Sequence, residues 1–211
     1  MRIVKANQKA IEYACKNFHY SKSVPAVQYA YNVYNENDEW CGVIVYGGGA
    51  NNNLPKSFGK NAGEVLELER VALNGKQETT SKAVALSLKQ LHKDDPLCQI
   101  VVSFSDHRQR HIGTIYQATN WIYLGLTITS DTQYFYNGKW THERTINSRP
   151  NRDELKRTLP KRENSNKFKY VYVFDKKERK KYLSVALPYP KDADITLCED
   201  QVKEKRLSTK R

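Results

Sequence analysis

The stretch IVVSFSDHRQRHIGTIYQATNW, residues 100–121, decides how the chain folds. It opens on Ile100-Val101-Val102, a short apolar run without alternation, which suits a strand covered on both faces. The run leads into Ser103-Phe104-Ser105-Asp106-His107, so hydroxyl and titratable groups collect at the carboxyl end of that strand. In open α/β sheets ligands bind at that end. Arg108, Arg110 and His111 follow, and residues 112–118 read as a short helix returning toward the sheet. One acid, two imidazoles, two guanidiniums and a phenol fall within residues 106–116. A solvated loop is the alternative to a site here.

Upstream, apolar residues at Ala10, Ile11, Ala14 and Cys15 mark one face of a helix over residues 7–17, closed by Phe18-His19-Tyr20-Ser21 and stopped by Pro25. Residues 27–34 and 40–46 read as strands of an antiparallel hairpin turning at Asn35-Glu36-Asn37-Asp38. Gly47-Gly48-Gly49-Ala50-Asn51-Asn52-Asn53 cannot hold regular structure cheaply and leaves backbone N–H groups for a ligand. Residues 65–73 (VLELERVAL) alternate as a half-buried strand whose broken parity predicts a bulge. Thr79, Thr80 and Ser81 can cap a helix over residues 82–92. Downstream, residues 122–129 and 133–136 read as strands, and Asn137-Gly138 signals a hairpin into Lys139-Trp140.

The 211 residues suffice for one core with an appended subdomain, and the net charge of +12 points to a polyanion, nucleic acid before membrane. No apolar run is long enough to span a bilayer, and MRIVKANQKAIEYA lacks the features of a signal peptide. Cys15, Cys41, Cys98 and Cys198 show no CxxC pair and read as reduced thiols. Residues 149–211 carry a net +9 against +3 for residues 1–148. The division follows that shift: a catalytic domain over 1–148, then a basic extension over 149–211, packed on the same domain and frayed at its end. Within the extension, residues 168–174 and 182–187 predict a β-hairpin (168–187 overall) tipped by Lys176, Lys177, Arg179, Lys180 and Lys181. The element order predicts an α/β (α+β) fold, a mixed sheet with helices on its faces, closer to an acyltransferase layout than to a doubly wound one.

Five pieces in one order carry a resemblance: His19-Tyr20-Ser21 with Pro25; Gly42-Val43-Ile44 running into Gly47-Gly48-Gly49-Ala50-Asn51; residues 67–73; residues 102–106; and residues 111–121. Together they resemble the Mom family of bacteriophage DNA-modification proteins, with a weaker match at FKYVYVFDKKERKKYL and PYPK. The resemblance implies a GNAT-like fold with a mainly antiparallel sheet. It also implies conversion of adenine in DNA to its N6-carbamoylmethyl form, an anti-restriction modification made in the cytoplasm of an infected bacterial host. By motif it assigns catalysis to His19, Tyr20, Arg70, Asp106 and Tyr116, and associates iron (Fe2+) with the site, for which His19, Tyr20 and Asp106 would be ligands. The group donor stays open. Acyl-coenzyme A would meet the chain at Thr79, Thr80 and Ser81, but the glycine rhythm of the usual pyrophosphate turn is absent from residues 74–81.

Each assignment has a plainer counterpart. Asp106 takes a proton or orients the amine, or it caps the next helix. His19-Tyr20 ligates a metal, works in acid/base chemistry, or packs at a helix end, with His107 and His111 as alternative ligands. Arg70 meets an anion, or pairs on the solvent face with Glu67 or Glu69. Tyr116 packs in the core or stacks on a base. Arg108, Arg110, His111 and the lysine-rich segment 176–181 contact double-stranded DNA, or merely solvate the surface. The rival functions are a GNAT-type N-acyltransferase acting on a protein, tRNA or small amine, and a non-catalytic DNA-binding module.

Overall fold

The computed structural model describes residues 1–106, 111–127, 132–163 and 166–191. Among them, seven strands form one sheet in the order β1-β2-β3-β4-β5-β10-β6, and three more form a second sheet, β8-β7-β9. Two compact units divide the chain: residues 1–104, 113–125 and 169–190 make the first, and 105–112, 126–168 and 191–211 the second. The sequence-based division at residue 148 falls inside the second unit.

The first unit begins with β1 (Arg2–Lys5) and α1 (Gln8–Asn17), whose N-cap Asn7 accepts from the Ala10 N–H at 2.9 Å. β2 (Tyr29–Tyr34) and β3 (Trp40–Gly47) form the expected antiparallel hairpin. β4 (Val65–Leu73) pairs antiparallel with β3, and β5 (Ile100–Asp106) runs parallel to β4. β5 is the fifth of seven strands, and Ile100, Val101 and Val102 are all fully buried, as an unalternated β-branched run requires. α1 lays Ile11, Ala14 and Cys15 on Val43, Val45 and Ala72. Ile11, Val43 and Val45 each contribute about 1.5–3 kcal/mol when fully buried. α2 (Thr80–Asp94) meets β3 through Ser87, whose hydroxyl lies 2.6 Å from that of Tyr46. Thr79 is its N-cap, accepting from the Lys82 N–H at 3.1 Å.

The helix after β5 is short. α3 (Thr114–Gln117) starts at Gly113, whose φ of +79° is the left-handed region glycine tolerates. β6 (Ile122–Leu126) follows, and β10 (Lys167–Val173) inserts between β5 and β6. Here the expected hairpin over 168–187 does not form. Its first half is β10, but residues Lys176–Leu183 are a helix, α6. The reason lies in local chemistry: Asp175 caps the helix by accepting from the Glu178 N–H at 2.7 Å, and KKERKK is rich in good helix formers. Tyr182 packs with Phe58 on the cluster of Leu54, Val65, Ile100, Val102 and Val171, and Glu178 pairs with Lys60 at 2.6 Å.

In the second unit, β7 (Thr132–Tyr136) and β8 (Lys139–His142) turn at Asn137-Gly138, both at positive φ (50° and 76°), the conformation an Asn-Gly hairpin demands. β9 (Lys161–Glu163) pairs on the other side of β7. α4 (Glu143–Asn147) and α5 (Arg152–Thr158) lie between β8 and β9, with Ile146 fully buried and Lys156 paired to Glu143 at 2.7 Å. Cys15, Cys41 and Cys98 are free and buried, and burial pushes their thiols up. Cys198 lies outside the described residues. No helix among the described residues is long and apolar enough to cross a membrane.

Candidate active site

The bulge expected in β4 is present, and it sits at Glu69. Val45 pairs with Arg70 and Tyr46 with Leu68, so Glu69 is the extra residue. The break re-aims its carboxyl at the glycine-rich loop, where the Gly49 N–H donates to Glu69 Oε1 at 3.2 Å. A Cβ on Gly47 would run into that same carboxylate, and one on Gly49 would lie 2.5 Å from Glu67 Oε2. Glycine is required at Gly47 because a Cβ would also strike the Ala26 backbone carbonyl, and at Gly49 because its φ of +77° is strained for an L side chain. Burial raises the Glu69 carboxyl above the usual carboxylate range, outweighing the Gly49 N–H and the Arg70 charge that pull it down.

Beside the bulge, the parallel ladder of β4 and β5 runs from Val65/Ile100 to Glu67/Val102. Next along β5, the Ser103 hydroxyl lies 2.9 Å from the Leu68 carbonyl and 2.8 Å from the Tyr116 hydroxyl. Tyr116 is brought there by α3 and packs its ring among Trp121 and Tyr170, at centroid distances of 5.0 and 5.1 Å. Burial pushes its phenol up to about 12, with Ser103 opposing, and Tyr20 and Glu67 are near enough to add to the shift. At 8% exposure the ring serves the core, and its hydroxyl is held by Ser103.

The third piece is the segment after α1. His19 and Tyr20 stack with ring centroids 4.4 Å apart, and Tyr20 is 53% exposed. The chain turns there, with the Lys22 N–H donating to the His19 carbonyl at 3.1 Å and Lys22 held at φ +51°. A lysine in the left-handed region costs about 1–2 kcal/mol, so the turn persists because contacts hold it. Arg70 supplies them: its guanidinium donates to the Ser23 carbonyl (3.3 Å) and the Ser23 hydroxyl (3.2 Å), and to the Glu69 carbonyl (2.6 Å). Ser23 Oγ donates to Ser21 Oγ at 3.2 Å, and His19 Nδ1 lies 2.8 Å from Ser21 Oγ and accepts from the Ser21 N–H at 3.2 Å.

Four of the five residues named from sequence, His19, Tyr20, Arg70 and Tyr116, lie within the first unit, and Arg70 holds the segment that follows His19 and Tyr20. Arg70 does not form the expected surface ion pair with Glu67 or Glu69: no carboxylate salt bridge to it occurs among the described residues, and its donors clamp the segment that carries His19. Asp106 ends β5 within the second unit, where its carbonyl accepts from the His111 N–H at 3.3 Å. It does not cap α3, whose cap position is Gly113. His107, Arg108 and Arg110 lie outside the described residues. Thr79, Thr80 and Ser81 hydrogen-bond among themselves and their neighbours at the start of α2: Thr79 caps, Thr80 Oγ1 accepts from Gln77, and Ser81 donates to Thr79. Lys176, Lys177, Lys180 and Lys181 line α6, and Arg179 donates to the Asn120 carbonyl. Sequence reasoning passed over Glu69, Ser21, Ser23 and Ser103. For Glu69 the broken parity of VLELERVAL was the available signal; the serines carried none.

The described residues contain no group of three or more His, Cys, Asp or Glu able to hold a metal ion. Within the first unit, His19 and Tyr20 are the two expected ligands present, and they do not complete a metal site by themselves.

Residues 1–191 match the model of the Mom protein family. The chain is 30% identical over 139 residues to the "Methylcarbamoylase mom" of Escherichia phage Mu, a match spanning 60% of this chain and 56% of that protein. Among solved structures it is similar to a chimera of the spermidine N-acetyltransferase SpeG from Vibrio cholerae and hSSAT (TM-score 0.48, 8% identity, 87% of this chain and 99% of that one). It is similar also to the ribosomal-protein-S5-alanine acetyltransferase from Vibrio fischeri (TM-score 0.47, 9% identity, 82% of this chain and 93% of that one).

Proposed function

Because the chain belongs to the Mom protein family, we propose that it modifies the N6 amine of adenine in duplex DNA to its carbamoylmethyl form, shielding phage DNA from restriction inside the host cell. The observation that carries the reading is the exposed Tyr20 ring stacked on His19, on a segment that Arg70 clamps next to the Glu69 bulge. The adenine amine is a poor nucleophile, since its lone pair is delocalised into the ring, and in a duplex it is paired and stacked. Extruding the base costs about a few kcal/mol. An aromatic platform returns about 1–3 kcal/mol per base by stacking. Tyr20, open to solvent and backed by His19, supplies that platform.

The amine must also lose a proton as its new bond forms. Glu69, a carboxyl whose affinity for protons burial has raised, is suited to accept it, and Asp106 at the end of β5 is the second candidate. Iron enters only through the family resemblance. The lysines of α6, Lys176, Lys177, Lys180 and Lys181, are the proposed contacts to DNA phosphates within the first unit.

The test is plasmid DNA co-expressed with the protein, digested to nucleosides and analysed by mass spectrometry. Carbamoylmethyladenosine supports the reading. Acetylated protein or tRNA with unmodified adenosine would transfer the site to an N-acyltransferase, and unmodified material that still binds DNA would leave a binding module.

A further inference from the structure

We infer that the outward face of the β8-β7-β9 sheet, in the second unit, binds single-stranded DNA. Phe135 and Trp140 stack on its unpaired bases, and Arg162 supplies charge for its phosphates. The inference goes beyond the proposed function, and the binding needs no adenine chemistry.

The face follows from the strand pairing. Side chains alternate along a strand, and the register sets Phe135 opposite Trp140, and Gln133 opposite both His142 and Arg162. Those five residues therefore share one face. The other face carries Tyr134, which is buried, so the core of this sheet lies on that side. An antiparallel sheet with one face on a core ordinarily shows polar residues on the other. Here the outer face carries two large aromatic rings, Phe135 at 40% exposure and Trp140 at 38%. Their centroids stand 5.4 Å apart at an interplanar angle of 61°, an edge contact in which each ring steadies the other. The Arg162 guanidinium lies over the Trp140 ring at 4.2 Å, and its Nε donates to Gln133 Oε1 at 2.9 Å.

Charge decides which partner fits. None of the five positions on the face is acidic. Residues 132–163 as a whole carry eight Lys or Arg against four Asp or Glu, a net +4. An apolar protein surface would match the rings and waste that charge. A nucleic acid offers flat rings and negative charge together, and its bases have faces open to stacking where they are unpaired. Extrusion of a base leaves unpaired nucleotides behind, which gives such a face a use in the proposed reaction.

The experiment is titration of the full chain with oligothymidine of about ten nucleotides, a length typical of single-strand sites. Binding is read by anisotropy of a labelled strand and by tryptophan emission, Trp140 being one of three tryptophans. Expected is saturable binding with quenched emission. Trp140→Ala should weaken it about five- to a hundredfold, the loss of one stacked base, and leave the affinity for blunt duplex unchanged. Phe135→Ala should weaken it in the same direction. Trp140→Phe keeps a ring, so it should retain most of the affinity and lose the quench, which keeps the test sound if truncation to alanine disturbs the sheet. The slope of log affinity against log salt should stay the same in Trp140→Ala and fall by about 0.7 in Arg162→Gln, the share of one phosphate on a single strand. No saturable binding by the wild type, a Trp140→Ala affinity equal to it, or an equal loss on duplex would each overturn the inference. So would tighter binding of oligouridine, which would assign the face to RNA. A dimer in sedimentation that Trp140→Ala disperses would likewise overturn it, by assigning the face to a second copy of the chain. Oligothymidine holds no adenine, so failure of the adenine-modification reading would appear in the nucleosides and leave these titrations unchanged.

Discussion

Replacing Gly113 by alanine tests how α3 delivers Tyr116. Two costs add. Gly113 lies at φ +79°, where an L-residue pays about 1–2 kcal/mol. The new Cβ would stand 2.7 Å from Tyr170 Cζ and 2.9 Å from Tyr116 Cδ2, inside van der Waals distance of two buried rings. Overpacking of that kind costs about 1–3 kcal/mol. The sum is about 2–5 kcal/mol, and at about 2–4 °C per kcal/mol for a chain of this size it lowers Tm by roughly 4–20 °C. Urea unfolding followed by fluorescence and circular dichroism measures it, with the m-value expected to stay constant. Trimming the ring in Tyr170→Leu should recover part of the second cost and none of the first, a coupling of about 0.5–3 kcal/mol for residues that touch. A loss below about 1 kcal/mol in Gly113→Ala would refute both terms. It would mean that the α3 turn can rebuild without glycine.

Three further outcomes are expected. Asp106→Asn, which keeps shape and removes charge, should abolish adenosine modification with the fold intact by circular dichroism; unimpaired modification in cells would remove Asp106 from the mechanism. Glu69 is raised by burial, so the folded state holds its proton where the unfolded chain has already lost it. Stability should therefore fall as pH rises from about 4.3, the ordinary glutamate value, through the raised folded pKa, and level off above it. Glu69→Gln should flatten that slope above about pH 4.3, the ordinary glutamate value, and a slope unchanged in the variant would assign it to other groups. Finally, Lys176, Lys177, Lys180 and Lys181 replaced together by Gln should flatten the dependence of log affinity on log salt for duplex DNA. About 0.9 is expected for each phosphate that the variant no longer neutralises, so two to four such phosphates give a change of roughly 2–4, with base preference unaffected; a slope matching the parent would show that α6 is merely solvated.

What the sequence determined by itself was local. The Ile100-Val101-Val102 run, the Asn35–Asp38 and Asn137-Gly138 turns, the Asn7 and Thr79 caps and the broken parity of VLELERVAL each depend on residues a few positions apart. Short-range sterics and side-chain periodicity suffice for those. The apolar and aromatic side chains of residues 182–187 suggest a strand, although Asp175 and Glu178 carry the helix-start chemistry that prevails. Tertiary structure alone decided that β10 enters between β5 and β6, because strand order is set by which apolar faces must be covered across the whole chain. It alone turned Arg70 from an expected ion pair into a clamp on Ser23, forty-seven residues away. It also tied His19 to that clamp through two serines whose types announce nothing. A hydroxyl becomes part of a site only when folding leaves one donor direction open to it, and that choice is made by neighbours distant in the chain.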